Sequence, residues 1–258
     1  MNFENMVLEL QSPEVFGTKH LVGTAIVSIL IAVLLIYLLK IKKDTNHYRV
    51  LKISALFLIT LELIKYTYAL ITYDSFPYHF IPMQLCSFSL YLMPLVAFTK
   101  DKVSKFFMPI AYSIGVLAGL IVLIYPATVL GGDIDWVPLS DNILPIQSFL
   151  YHGTMIFFSL YLVMSKLYRP TFADYGKVFI ALMVFASLAA VTNLIFDTDM
   201  MFLNRASGSP FQFLLVDYGR LVYVLAMILL AGFLLTLPVL PYITTLKEVF
   251  VKRQSVKD

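Results

Sequence analysis

Apolar residues run along this chain in seven long blocks, separated by short polar interludes. A membrane-spanning helix needs roughly 20 mostly apolar residues. The blocks at 19–40, 49–72, 81–99, 105–125, 144–165, 176–196 and 213–241 each meet that length. The last is long enough to tilt, or else it stops early at Pro238. The pattern predicts an all-α membrane fold, a seven-transmembrane helix bundle formed as one domain over residues 1–258. No internal repeat, low-complexity linker or soluble domain interrupts it. Residues 1–18 are acidic (Glu4, Glu9, Glu14) and lack the basic start of a cleavable signal peptide. Phe3, Met6, Val7 and Leu10 recur at helical spacing, which fits a short helix in the outer interface before Pro13. A disordered tail fits those residues equally well.

Composition agrees with a bilayer as solvent. Of the 258 residues 60% are hydrophobic and 14% charged, too apolar a balance for a water-soluble surface. Charge then sets orientation. One set of loops, with the tail at 242–258, carries 15 of the 19 Lys and Arg residues. They are Lys40, Lys42, Lys43, Arg49 and Lys52; Lys100, Lys102 and Lys105; Lys166, Arg169 and Lys177; and Lys247, Lys252, Arg253 and Lys257. The opposite loops at 73–80 and 126–143 have none, and 197–212 has Arg205 alone. The positive-inside bias puts the N-terminus outside and the C-terminus in the cytoplasm. The net charge of +3 comes without a basic run interleaved with aromatics, so no nucleic-acid partner is expected.

Polar groups inside spans are costly and mark functional candidates. They are few: Glu62 and Lys65, Gln84 and Cys86, Gln147, Ser148 and His152, Asn193 with Asp197, and Asp217 with Arg220. At 1.5 Å per residue, Cys86 falls about 6–8 Å below the outer end of its span, Lys65 about 10 Å and His152 about 12 Å. All of them sit in the outer half, which predicts one polar, water-accessible cavity opening outward. Glu62/Lys65 and Asp217/Arg220 are three apart and Asn193/Asp197 four apart, spacings that allow pairing on one helix face. Such pairs can also simply neutralise each other and hold helices together.

Cys86 is the only cysteine, so no disulfide framework exists. A buried thiol usually acts as a small hydrophobe. Here Pro82 fits a helix first turn, which would set Cys86 just inside a helix N-terminus where the dipole favours a thiolate. Gln84 and Ser87 bring hydrogen-bonding groups to the same turn. His152, at similar depth, can serve as base, and Cys with His is the minimal set for acyl transfer through a thioester. A histidine in a span can instead just bond a neighbouring helix. His20, His47 and His79 read as solvated, and no metal-ligand spacing links the histidines. No cofactor signature, G-x-S-x-G elbow or phosphate loop is present; GGD at 131–133 reads as a turn. Trp136, Tyr66, Tyr68, Tyr73 and Tyr78 read as interfacial belt residues.

The segments IPMQLCSFSLYLMPL and FLYHGTMIFFSLYLV resemble the cysteine and histidine segments of the YwaF-like bacterial multi-span proteins. VTNLIFDTDMMFLNRASGSP resembles their following outer loop, and LLTLPVLP their closing helix end. That family is similar to eukaryotic transmembrane acyltransferases that remodel ether phospholipids with a cysteine, and more distantly to androgen-induced membrane hydrolases of fatty-acid esters. The resemblance implies Cys86 as nucleophile and His152 as base. The bacterial signature tends to carry histidine where this chain has Gln84, so acid–base work there would fall to His152.

The expectation is a lipid acyltransferase or acyl hydrolase, integral to a bacterial plasma membrane, acting on membrane phospholipids or acyl lipids. Lys65 or Arg220 would hold a lipid phosphate beside Glu62 and Asp217, and Gln84 or Asn193 would donate to the oxyanion. The alternative is a non-enzymatic binding, transport or accessory subunit whose cavity holds a lipid or small molecule. A purely structural role comes third, and the sequence names no protein partner.

Overall fold

The computed structural model describes residues 16–42, 44–99, 101–126, 130, 134, 136, 143–205 and 211–238. The acidic start, the GGD turn and the tail at 242–258 lie outside them. The described residues form helices and connecting turns, with no strand. That is what a hydrocarbon solvent requires, since each backbone amide must find its partner within its own segment.

Helix α1 covers Thr18–Ile36 and runs on through one wider turn, Tyr37–Ile41. A tight connection follows. Thr45 Oγ1 donates to the Leu38 and Lys42 carbonyls, both at 3.0 Å, and Asn46 Oδ1 caps α2 by accepting from Arg49 N at 3.1 Å. Helix α2 is His47–Thr72. Helix α4 is Asp101–Ile124, α5 Ile143–Met164, α6 Tyr175–Phe196 and α7 Gln212–Leu234. Among the described residues six helices are long and apolar enough to cross a membrane.

The expected third span differs from its prediction. The chain over 73–85 turns rather than coils, one tight turn spans Cys86–Phe88, and α3 proper is Ser89–Phe98. At 1.5 Å per residue the apolar helix Cys86–Phe98 is about 20 Å long, short of a roughly 30 Å hydrocarbon core. Pro82 therefore does not open a helix. It lies in the loop four residues upstream, and the helical backbone begins at Cys86 itself. The seventh span also ends sooner than 241, at Leu234, just before Pro238.

Long-range hydrogen bonds fix which loops share an end. His20 Nε2 meets the Leu123 carbonyl at 2.8 Å, and Trp136 Nε1 donates to Lys19 O at 3.2 Å. At the other end His47 Nδ1 meets Tyr161 OH at 2.7 Å, and Tyr175 OH donates to Gly232 O at 3.2 Å. The basic loops are thus gathered at one end and the basic-poor loops at the other. His20 is buried rather than solvated, because it satisfies a carbonyl left over at the end of α4.

The centre of the bundle is α4 against α5. Gly115 and Gly119 face Ser159 and Ile156 so closely that a Cβ at either position would run into them. Small residues four apart let two helix backbones approach, the membrane substitute for a hydrophobic driving force. Helices α1 and α2 lean on α5 from one side, and α3 packs between α2 and α4. Phe88 stacks on Phe185 at 3.7 Å, joining the start of α3 to α6. Helix α7 is peripheral, and within it only Tyr223 and Gly232 are buried.

Candidate functional site

The site begins with the turn that delivers Cys86. Ser87 N donates to Gln84 O at 2.9 Å, closing the chain so that Cys86, Ser87 and Phe88 all turn inward and are buried. The thiol is free and buried. From α2, one turn carries Glu62 and Lys65, paired at 2.6 Å with both side chains largely buried. The three-residue spacing predicted that pair. Lys65 Nζ also sits 5.2 Å from the Tyr66 ring and 5.5 Å from the Phe80 ring, so aromatic faces share its charge.

Helix α5 supplies the third wall. Gln147 Nε2 donates to Leu61 O at 3.2 Å, which levels the first turns of α5 with the Glu62 turn of α2. His152 is 4% exposed, and its Nδ1 lies 2.7 Å from the Ser148 carbonyl. A carbonyl can only accept, so Nδ1 carries the proton and Nε2 is left as a bare acceptor. Nε2 is buried with no hydrogen-bond partner among the described residues. The Tyr151 and Ser89 hydroxyls are buried and unpartnered as well. Groups like these are rare in a settled interior, and each calls for an explanation.

Electrostatic coupling ties the groups together. The Lys65 charge is felt at Cys86, His152 and His79. The Glu62 charge is felt at Cys86, Tyr66, Tyr91 and Tyr151, and Tyr151 is also coupled to Cys86. Cys86 and His152 thus share one neighbourhood around Lys65 without a hydrogen bond between thiol and imidazole. Tyr66 faces Glu62 rather than serving only as a belt residue.

The other predicted members go elsewhere. Both functions of the Gln84 amide are taken by the loop after α6: Oε1 accepts from Met201 N at 2.7 Å, and Nε2 donates to Asp199 O at 3.3 Å. Asn193 is likewise engaged. Its Oδ1 accepts from Thr198 Oγ1 at 2.9 Å and Met200 N at 2.6 Å, while Nδ2 donates to Met200 O at 3.1 Å. It does not pair with Asp197, which ends α6 in a left-handed conformation and pairs with Arg205 at 2.8 Å. Asp199 Oδ1 accepts from Asn204 N at 2.8 Å and Arg205 N at 3.0 Å. Burial raises the Asp199 carboxyl above its usual value, against those two amides and the nearby guanidinium charges of Arg205 and Arg220. Residues 197–205 form a loop held by its own polar groups and pinned to the Cys86 turn through Gln84.

Asp217 and Arg220 leave the cluster altogether. Gly219 lies between them at φ 81°, ψ 170°, outside helical geometry, so the three-residue register that would pair them is broken. Both side chains are exposed, and Arg220 donates to Asn204 Oδ1. The expected gathering from five spans is therefore tightest among α2, the Cys86 turn and α5, with the 197–205 loop bonded to that turn through Gln84. Tyr151 and Ser89 were passed over in the sequence. Adjacency to His152 was the available signal for Tyr151, and a place one turn beyond Cys86 was the signal for Ser89. No group of three or more metal-ligating side chains occurs among the described residues.

A sequence profile of the TMEM164 family matches residues 15–237, nearly the whole helical body just described. The chain belongs to the TMEM164 family. This is a family of membrane proteins, in keeping with six spanning-length helices. No curated protein and no solved structure matches the chain. The family match covers every element that builds the site, from the Glu62–Lys65 turn to the 197–205 loop and Arg220.

Proposed function

We propose that this TMEM164-family chain moves acyl groups between membrane lipids, or from a lipid to water, through a thioester on Cys86. The observation that carries the reading is His152: a buried imidazole fixed at Nδ1, with a bare Nε2, in the same charged neighbourhood as the chain's single thiol. In the first half-reaction Nε2 takes the thiol proton and the sulfur attacks an acyl-ester carbonyl. The tetrahedral intermediate collapses to a thioester, and His152 returns the proton to the departing lysolipid oxygen. In the second, Nε2 deprotonates an acceptor hydroxyl or water, whose oxygen attacks the thioester, and the proton returns to the thiolate.

With Gln84 and Asn193 engaged in the loop, the free hydroxyls of Tyr151 and Ser89 are the better donors to the oxyanion. Lys65 holds positive charge where a lipid phosphate would rest. We further infer seven crossings, with the short Cys86–Phe98 helix completing the third, an outside N-terminus and a cytoplasmic C-terminus. The basic bias of the loops supports this, as does their gathering at one end. The same reading takes the site to lie in the outer half of the membrane, and the resemblance to YwaF-like and cysteine acyltransferase segments supports a bacterial plasma membrane and the chemistry.

One observation favours a second reading. Thiol and imidazole are not hydrogen-bonded, as befits a cavity that binds lipid without reacting. The test is a phospholipid carrying an alkyne-tagged acyl chain, given to the full-length protein in vesicles. A hydroxylamine-labile label should appear on the unsubstituted chain, vanish in Cys86→Ala and be strongly slowed in His152→Ala. Label that persists in Cys86→Ala, or never forms while the lipid still binds, would leave the binding reading in its place.

A further inference from the structure

A second feature lies at the other end of the bundle and takes no part in the site above. Helices α1 and α2 are joined by a tight connection capped by Thr45 and Asn46 and then separate, each leaning on α5. Gly153 lets α1 seat closely on α5, since a Cβ there would strike Val27. Helix α2 also packs on α5 but stands apart from α1, and a slot of about 630 Å³ opens between α1 and α2. Its walls are apolar: Leu30 and Leu34 from α1, Ile53 and Phe57 from α2, and Phe157 on the floor from α5. Leu30, Leu34, Ile53 and Phe57 are all exposed within it or beside it.

The rim of the slot is charged. Lys42, Asp44 and Arg49 line its mouth. Lys42 and Arg49 are exposed, and neither has an acidic partner among the described residues. The Thr45 and Asn46 side chains are used to cap the turn, which orders the backbone between the two cationic residues. From Arg49 to Phe57 is about 12 Å along α2, and from Lys42 to Leu30 about 18 Å along α1. Half of a roughly 30 Å hydrocarbon core is about 15 Å, so the apolar slot has the depth of one leaflet.

We infer that this slot binds one anionic phospholipid from the leaflet at the basic end, its phosphate between Lys42 and Arg49 and its acyl chain along α1 and α2. A transmembrane helix of a partner protein fits less well. At about 10–12 Å across and 5.4 Å per turn, a helix would fill the slot with little more than one turn. Free phosphate would leave the apolar walls unused. A guanidinium and an ammonium lining the same slot suit a phosphodiester, which takes both the directed fork and the point charge. The inference needs only that the chain sits in a bilayer, and stands whether or not Cys86 reacts.

The test uses the full-length chain with its single tryptophan moved by Trp136→Phe and Phe57→Trp, in phosphatidylcholine vesicles. Equal fractions of brominated phosphatidylglycerol or brominated phosphatidylcholine are then introduced. A contribution of about 1 kcal/mol per basic residue near an anionic lipid is about fivefold in affinity. The anionic lipid should therefore quench the reporter with at least about fivefold preference, falling to near parity in Lys42→Ala/Arg49→Ala. Equal quenching by both lipids overturns the inference. So does a preference that survives in the double variant, or a reporter shielded from both lipids because protein fills the slot. Melting of the chain without the tryptophan changes, titrated with short-chain phosphatidylglycerol in detergent, gives a second measure. It should rise with the lipid, and Lys42→Ala/Arg49→Ala should abolish the rise; no rise, or one the double variant keeps, overturns the inference.

Discussion

Helices α5 and α7 look alike as sequences and behave as opposites in the fold. They are 22 and 23 residues long, and each carries polar groups in a strongly apolar frame. Over their most apolar windows α5 is 67% buried and α7 only 6%. Gln147, Ser148 and His152 consequently face protein, where each polar atom needs a partner or a purpose. Asp217 and Arg220 face outward near the end of the bundle, where water and headgroups can serve them. A polar residue in an apolar span thus signals a site only when neighbouring helices surround it. Helix α5 is ringed by α1, α2 and α4, whereas α7 lies on the rim.

The sharpest way to break that contrast is through the buried charges beside α5. Lys65→Met leaves Glu62 buried and uncompensated, and should cost about 3–5 kcal/mol of unfolding free energy in detergent. A loss below about 1 kcal/mol would mean that water reaches the pair freely. Next comes packing. Gly115→Leu forces a side chain against Ser159 and the Met155 backbone and should cost at least about 1–3 kcal/mol, whereas Gly176→Ala, with open space around it, should be neutral or slightly stabilising.

The 197–205 loop gives a smaller, pH-dependent effect. Asp199→Ala removes the acceptor for two amides and should cost about 1–2 kcal/mol, while Asp199→Asn keeps that acceptor and should cost much less. Because burial raises the Asp199 carboxyl in the fold, the protonated form is favoured there. Its contribution to stability should therefore grow as pH falls through the raised value and level off below the ordinary carboxylate value near 3.8. Asp199→Asn should erase that slope in pH-dependent melting.

Smaller still is the effect on folding of His152→Leu. It deletes one hydrogen bond but also an unsatisfied buried nitrogen, so stability should change by less than about 1 kcal/mol while acyl labelling is lost. Asp217→Ala should do least, within about 0.5 kcal/mol in melting, because it is exposed and its carboxylate has no salt bridge among the described residues.

Much of the candidate site was legible from depth. Helical rise converts residue number into height, and on that reading Cys86, Lys65 and His152 all fall in the outer half of their spans. Depth carries no angle about the bundle axis, so it could not separate His152, which faces inward, from Arg220, which faces outward. Spacing foretold the Glu62–Lys65 pair, where the helix is regular. It failed for Asp217 and Arg220, where Gly219 leaves helical geometry. Gln84 and Asn193 resembled free polar groups in a span, yet both amides close a loop more than 100 residues away from one and directly after the other.

The sequence by itself determined that this is a helical membrane protein, where six spanning-length helices lie, and which loops are basic. Those properties follow from hydropathy and helix rise, which are local along the chain. Only the tertiary structure decided that α5 is the hub and α7 the rim, that Nε2 of His152 is left bare, and that α1 and α2 part to form a slot under Lys42 and Arg49. Those depend on which helix faces touch, and hydrocarbon on every side of a helix leaves no amphipathic stripe to announce its neighbours.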